Sequence, residues 1–356
     1  MKNVTMISRR SFLKAAMAAS AVSALAFTGC GGSASSTVAA SSTASSAAAS
    51  AAAEGGQTFK VGIVNYVDHA SLNQIVESVE SRLDELGAEK GVTFDYADYY
   101  ANAQADQSNL NQIGADLVGD GVDVIVAVAT PTAATMLAAV EDTDIPVVYS
   151  AVTDPAAAGF DGEENITGTS DALNTEAIMN LITAVNPDID TIGLLYDLSQ
   201  DASTQAIADA KAFCDANGIK YIEKNGTTTA EVQMAAEALI AAGVKAVFTP
   251  TDNTVMTAEL AIYEALAKAG IPHYTGADSF VKAGAFATCG VSYTELGAYT
   301  AGMAVDILQS GTVPEYHVME GGIITVNTET AAALGIDTSV FSGMAGTVVE
   351  VATQAE

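Results

Sequence analysis

The chain has 356 residues, 49% of them apolar and only 16% charged, which is enough to bury two hydrophobic cores and too apolar for a disordered polypeptide. Its formal charge of -30 is uneven, because all 43 acidic residues follow Cys30 while only nine of the 13 Lys and Arg do. A body that acidic repels phosphate backbones and anionic headgroups, which argues against nucleic acid and direct membrane-surface binding.

The first segment, Ser8-Arg9-Arg10-Ser11-Phe12-Leu13-Lys14 followed by an apolar stretch from Ala15 to Phe27, has the layout of a signal peptide and is too short to span a membrane. It resembles the twin-arginine signal, which implies export in the folded state. Phe27-Thr28-Gly29-Cys30 resembles a lipobox, which implies that Cys30 carries a lipid on the outer face of the cytoplasmic membrane. Phe27 stands where leucine is usual, and Ala24-Leu25-Ala26 offers the alternative of cleavage after Ala26 and release as a soluble protein. From Gly31 to Gly56 the chain is almost entirely Gly, Ser, Ala and Thr, a flexible tether with an r.m.s. reach of roughly 28 Å. Residues 1–29 are thus read as signal and 30–56 as tether.

From Phe59 onward short apolar runs alternate with amphipathic stretches. Val61–Val64, Val92–Tyr96, Val122–Val128 and Val147–Ala151 read as buried strands, with helices between them over Leu72–Leu86, Leu110–Val118 and Ala133–Val140. The alternation returns with strands near Ile192–Tyr196, Tyr221–Glu223, Ala246–Thr249 and His273–Gly276 and helices over Thr204–Ala216, Val232–Ala241 and Val255–Ala269. Leu117–Thr130 (LVGDGVDVIVAVAT) lies over Leu239–Asp252 (LIAAGVKAVFTPTD) without a gap, so the pattern is a repeat. The expected architecture is α/β, with two Rossmann-like lobes of parallel sheet joined by a hinge. The first lobe takes 57–172 and about 293–316, the second 173–292 and about 317–351. Arg82 lies in an amphipathic run and reads as a solvated helix residue, and Cys214 and Cys289 read as buried free thiols or a disulfide pair.

In open parallel sheets ligands sit beyond the carboxyl ends of the strands, so the rims of the two lobes are where a site is sought. The first lobe presents Asn65–Asn73, Thr130-Pro131-Thr132 and Thr153-Asp154 there. The second presents Tyr196–Asp201, Thr251–Thr254, Asp278-Ser279 and Ser292-Tyr293. Thr130-Pro131 and Asp252-Asn253 occupy equivalent repeat positions and are expected to face each other. Hydroxyls and helix-end amides suit a carboxylate and an unpaired Asp suits an ammonium, so the rims fit a zwitterion. Tyr66, Phe280 and Tyr293 lie near enough in sequence to stack on an aromatic group.

The segments VGIVNYVDHASLN, ADQSNLNQIGADLVGDGVDVIVAVATPTAA, PVVYSAVTDPAAAGF, NITGTSD, FTPTDNTV and GVSYTELGAYTAGMAVDIL resemble the ABC-transporter substrate-binding family that includes tryptophan- and tyrosine-binding lipoproteins, from about Phe59 to Asp337. The resemblance implies a type I periplasmic binding fold with three inter-lobe crossovers and a Venus-flytrap closure. It also implies a partnership with membrane permease subunits and a monomeric state. Carried over residue by residue, it makes Thr130, Thr132, Asp154, Asp252, Asn253 and Asp278 ligand contacts, with His69 and Leu72 matching the first-loop pattern. Pro131, Tyr196 and Ser279 join them from the rims. Asn73 and Ser71 depart from a common aspartate and alanine, which bears on which solute is bound.

The three histidines, His69, His273 and His317, are far apart and lack metal-ligand spacing, and no phosphate-binding glycine loop or nucleophile elbow occurs. No catalytic residue, metal or cofactor is expected. The sequence therefore points to capture of a small neutral or zwitterionic solute, an amino acid and foremost an aromatic one. The alternatives are a nucleoside-type solute, or a sensor presenting its ligand to a receptor kinase.

Overall fold

A computed structural model describes residues 56–344 and 346–354. The signal segment, Ala26, Cys30 and the tether up to residue 55 lie outside them. Among the described residues no helix is long and apolar enough to cross a membrane.

The first lobe is built on β1 (Thr58–Asn65), α1 (Ala70–Lys90), β2 (Thr93–Asp95), β3 (Tyr100–Asn102), α2 (Gln107–Asp120), β4 (Val124–Val128), α3 (Thr130–Ala139), β5 (Val147–Ser150) and β6 (Ile166–Ser170). The second follows with α4 (Thr175–Val185), β7 (Thr191–Tyr196), α5 (Asp201–Asn217), β8 (Lys220–Asn225), α6 (Thr229–Ala242), β9 (Ala246–Thr249), α7 (Asn253–Lys268), β10 (His273–Thr275), α8 (Asp278–Lys282) and β11 (Ala287–Gly290). The chain then gives α9 (Tyr293–Ser310) and β12 (His317–Val318) to the first lobe and β13 (Ile323–Asn327), α10 (Thr328–Leu334) and β14 (Val348–Val351) to the second.

Each lobe carries a seven-stranded sheet, ordered β12-β6-β5-β4-β1-β2 with β3 also on β1, and β14-β13-β11-β10-β9-β7-β8. Every pairing is parallel except β11 with β13. The strands are Val- and Ile-rich because helices cover both faces, as β4 shows by burying all five of its residues. His317 and Val318 pair with β6, so a second-lobe segment starting near 317 begins too early; that sheet resumes at Ile323.

The repeat holds at the backbone. α2 and α6 both end on a left-handed glycine, Gly121 (φ 62) and Gly243 (φ 74), which lets the chain turn straight into β4 and β9. Both strands then hand over at once to a helix, α3 or α7, at the rim. Helices begin two or three residues ahead of the apolar periodicity: α3 starts at Thr130 because Pro131 suits the first turn, and α1 starts after His69, which caps it. One apolar cluster runs from the first lobe (Leu72, Ala129, Ala151) into the second (Met256, Phe280), and Tyr293 belongs to it, so the lobes meet on buried surface. Cys214 and Cys289 are buried and unpaired. Arg82 lies on α1 and pairs with Glu85 at 2.8 Å.

Candidate functional site

The carboxyl ends of the two sheets face one another, and the space between them is nearly filled. The void is about 20 Å³, room for about one water. Thr130, Asp252 and Asn253, placed opposite one another by the repeat, line it together with His69, Leu72 and Asp171. A larger chamber of about 340 Å³ adjoins it past His69 and Met256, which line both.

His69 sits between β1 and α1 and ties the lobes together. Its Nδ1 accepts from the Leu72 amide at 3.4 Å, so Nε2 carries the proton and donates to Asn253 Oδ1 at 3.0 Å. Asn253 Nδ2 in turn donates to Gln200 Oε1 at 2.9 Å. Burial pushes the imidazole pKa down to about 4, which keeps the ring neutral near pH 7.

Asp171, just after β6, is buried in the cleft. Thr153 Oγ1 donates to its Oδ1 at 2.9 Å and the Tyr293 phenol to its Oδ2 at 2.7 Å. Burial raises its pKa and raises that of Tyr293 further, where the charges of Asp171 and Asp278 add to the effect. Asp278 opens α8; its Oδ2 accepts from Lys282 Nζ at 2.7 Å while its Oδ1 is buried with no hydrogen-bond partner among the described residues.

Two alanines with positive φ line the same cleft, Ala129 (φ 77) after β4 and Ala151 (φ 58) after β5. A side chain in that region costs of order 1–3 kcal/mol, and such strain gathers at functional sites. At Ala129 it turns the chain into α3, whose N-terminus has no side-chain cap and points its first amides outward.

Other candidates are used elsewhere. Asp252 accepts from Val255 N (2.9 Å), Asp197 N (2.7 Å) and Ser203 Oγ (2.7 Å), all in its own lobe, so it braces the α7 rim instead of offering a free carboxylate. Tyr196 lies outside the cleft, its hydroxyl donating to Glu223 at 2.7 Å on the neighbouring strand. Asp154 is exposed, caps a turn through Ala157 N at 2.9 Å and lines a separate groove with Tyr316. Thr132 is wholly buried within α3 and, like Pro131, does not line the void. Ser279 faces the adjoining chamber and meets Ser71 Oγ at 2.6 Å. Asp171 was not singled out from sequence. Its signal is an aspartate directly after the β-branched run of β6, Ile166–Ser170, whose threonines, serine and glycine conceal a strand buried at all five positions.

The profile of the family described as ABC transporter substrate binding protein matches residues 60–341. The chain belongs to that family. Among its relatives is the "Tyrosine-binding protein" of Clostridioides difficile (strain R20291), 28% identical over 283 residues, or 77% of this chain and 80% of that one. A Streptococcus pneumonia ABC domain in complex with L-Trp is 29% identical with a TM-score of 0.73, covering 82% of this chain and all (100%) of the other. A ligand-free, open substrate binding protein with adhesive properties from Clostridium difficile is 28% identical with a TM-score of 0.62, over 83% of this chain and 100% of that one. The resemblance read from the sequence is borne out, and this substrate-binding protein has the type I periplasmic binding fold. Its family and neighbours are solute-binding proteins.

Proposed function

We propose that this substrate-binding protein captures an α-amino acid with a large apolar, foremost aromatic, side chain and delivers it to an ABC permease. The observation that carries the reading is the carboxylate of Asp171, buried in the cleft between the lobes with the hydroxyls of Thr153 and Tyr293 as its side-chain donors. A buried carboxylate with no cation beside it among the described residues calls for a cationic donor, and an ammonium supplies it with three N–H groups. The uncapped N-terminus of α3 beside Thr130 suits the carboxylate, and Leu72, Met256 and Phe280 offer apolar walls to the side chain. The relatives named for tyrosine and complexed with L-Trp support the same class.

The form described here is read as closed. Its lobes touch through His69 and Asn253, and it resembles the L-Trp complex (TM-score 0.73) more than the open, ligand-free relative (0.62) at nearly equal identity. Solute entry opens the hinge, and solute bonds to both lobes then hold it shut. In this reading the protein is an exported monomer held by a lipid on Cys30, and its tether lets the lobes reach a permease in the same membrane.

A thermal-shift panel of amino acids and nucleosides tests the solute class. An aromatic amino acid at 100 times its Kd is expected to add about 2.7 kcal/mol of stability. A shift with nucleosides and with no amino acid would overturn the assignment.

A further inference from the structure

Beside the solute cleft, a second group of side chains joins the lobes around the chamber of about 340 Å³. Gln74, one turn into α1, is its centre. Its Oε1 accepts from Lys282 Nζ at 3.2 Å, while its Nε2 donates to Thr294 Oγ1 at 2.9 Å and reaches Asp278 Oδ2 at 3.5 Å. Next to it Ser71 Oγ and Ser279 Oγ meet at 2.6 Å, both buried. Ser71, Gln74 and Thr294 belong to the first lobe and Asp278, Ser279 and Lys282 to the second, so every one of these contacts except Gln74 to Thr294 is made by closure. Neither Gln74 nor Ser279 lines the void between the carboxyl ends, whereas Ser71 does.

We propose that Gln74 and Ser279, each bonded across the lobes, form a closure latch that sets solute affinity through the open–closed equilibrium and not by touching the solute. This rests on the solute-binding reading above and adds to it a set of affinity-determining positions. A ligand that binds the closed form has an apparent Kd equal to its intrinsic Kd divided by the fraction of protein already closed. Bonds that exist only in the closed form raise that fraction before any solute arrives. Losing them weakens every solute by one common factor, whereas losing a solute contact weakens solutes unequally.

The test uses Gln74→Ala and Ser279→Ala in the full chain, with two readouts. Small-angle scattering of the ligand-free protein is expected to show a larger radius of gyration in each variant. Calorimetric titration with L-tryptophan, L-tyrosine and L-phenylalanine is expected to show a loss of about three- to ten-fold, equal across the three, as for one hydrogen bond each. Melting temperature separates these effects from misfolding. Unequal losses among the solutes, or an unchanged ligand-free radius, would overturn the latch. The scattering arm needs no solute, so it still decides on the latch if no amino acid binds, a result that would count against the solute assignment alone.

Discussion

Two aspartates of the same cleft differ in what their oxygens are already doing. Asp252 holds two N–H groups and a hydroxyl of its own lobe, so moving it would unmake the rim. The side-chain donors to Asp171 are the hydroxyls of Thr153 and Tyr293, which can rotate to share it with an incoming ammonium. Sequence position marks Asp252 as a rim residue through the apolar run of β9 before it, whereas β6, built mostly of Thr, Ser and Gly, does not read as a strand and leaves Asp171 unmarked. That is why Asp252 was legible as a site residue and Asp171 was not. His69 was legible as well, and its burial has a measurable consequence. Its folded pKa of about 4 lies below the unfolded 6.5, so the unfolded chain binds more protons between those values. The stability held by neutral His69 is complete above that window and is lost as pH falls through it, by roughly 2 kcal/mol between pH 7 and 5. Asp171 and Asp252, with raised pKa values, act in the opposite sense, so the test compares the chain with His69→Gln. Urea denaturation is expected to show that His69→Gln loses less stability than the unaltered chain between pH 7 and pH 5, and the same change in both would contradict the placement of His69.

At the level of elements, α1 and α9 bring His69, Leu72 and Tyr293 to the cleft, and their spacing depends on Gly297. A Cβ there would stand 2.6 Å from the Ile75 carbonyl oxygen, so the helices approach backbone to backbone. Gly297→Ala is expected to cost about 1–3 kcal/mol of stability, as for overpacking elsewhere. It should also weaken solute binding, because Tyr293 is one turn away on the same helix. Gly302→Ala is the control: nothing lies within 4 Å of its Cβ position, and the exchange should be neutral or stabilising by up to about 1 kcal/mol. Equal stability of the two variants would sink the packing argument. The same elements show where periodicity is silent. β4, β7 and β9 announce themselves by runs of Val, Ile, Leu and Phe, whereas β6 and β11 are mostly Thr, Ser, Gly and Ala, with Gly168 and Gly290 packed against neighbouring backbone.

Over the whole molecule, the repeat read from Leu117–Thr130 and Leu239–Asp252 gives two lobes with like rims, and that much was visible before any coordinates. Which side chains cross from lobe to lobe was not visible, since it depends on the angle at which the lobes close. Hence the roles of Gln74 and Lys282 and the partner of Ser71 are not legible in the sequence, and Asp278, which reads there as a solute contact, is paired with Lys282 in the structure. Closure also explains why a void of about 20 Å³ is compatible with a solute site: the solute enters by replacing bonds that the lobes otherwise make to each other. The most direct measurement of the central claim is a fluorescence titration with L-tryptophan and N-acetyl-L-tryptophan, since the chain has no tryptophan and the ligand supplies the only indole. The account predicts that L-tryptophan binds, and that N-acetylation and Asp171→Asn each weaken it about 100-fold or more, as removal of one partner from a buried charge pair does. Equal binding of the two ligands, or undiminished binding by Asp171→Asn, would contradict it.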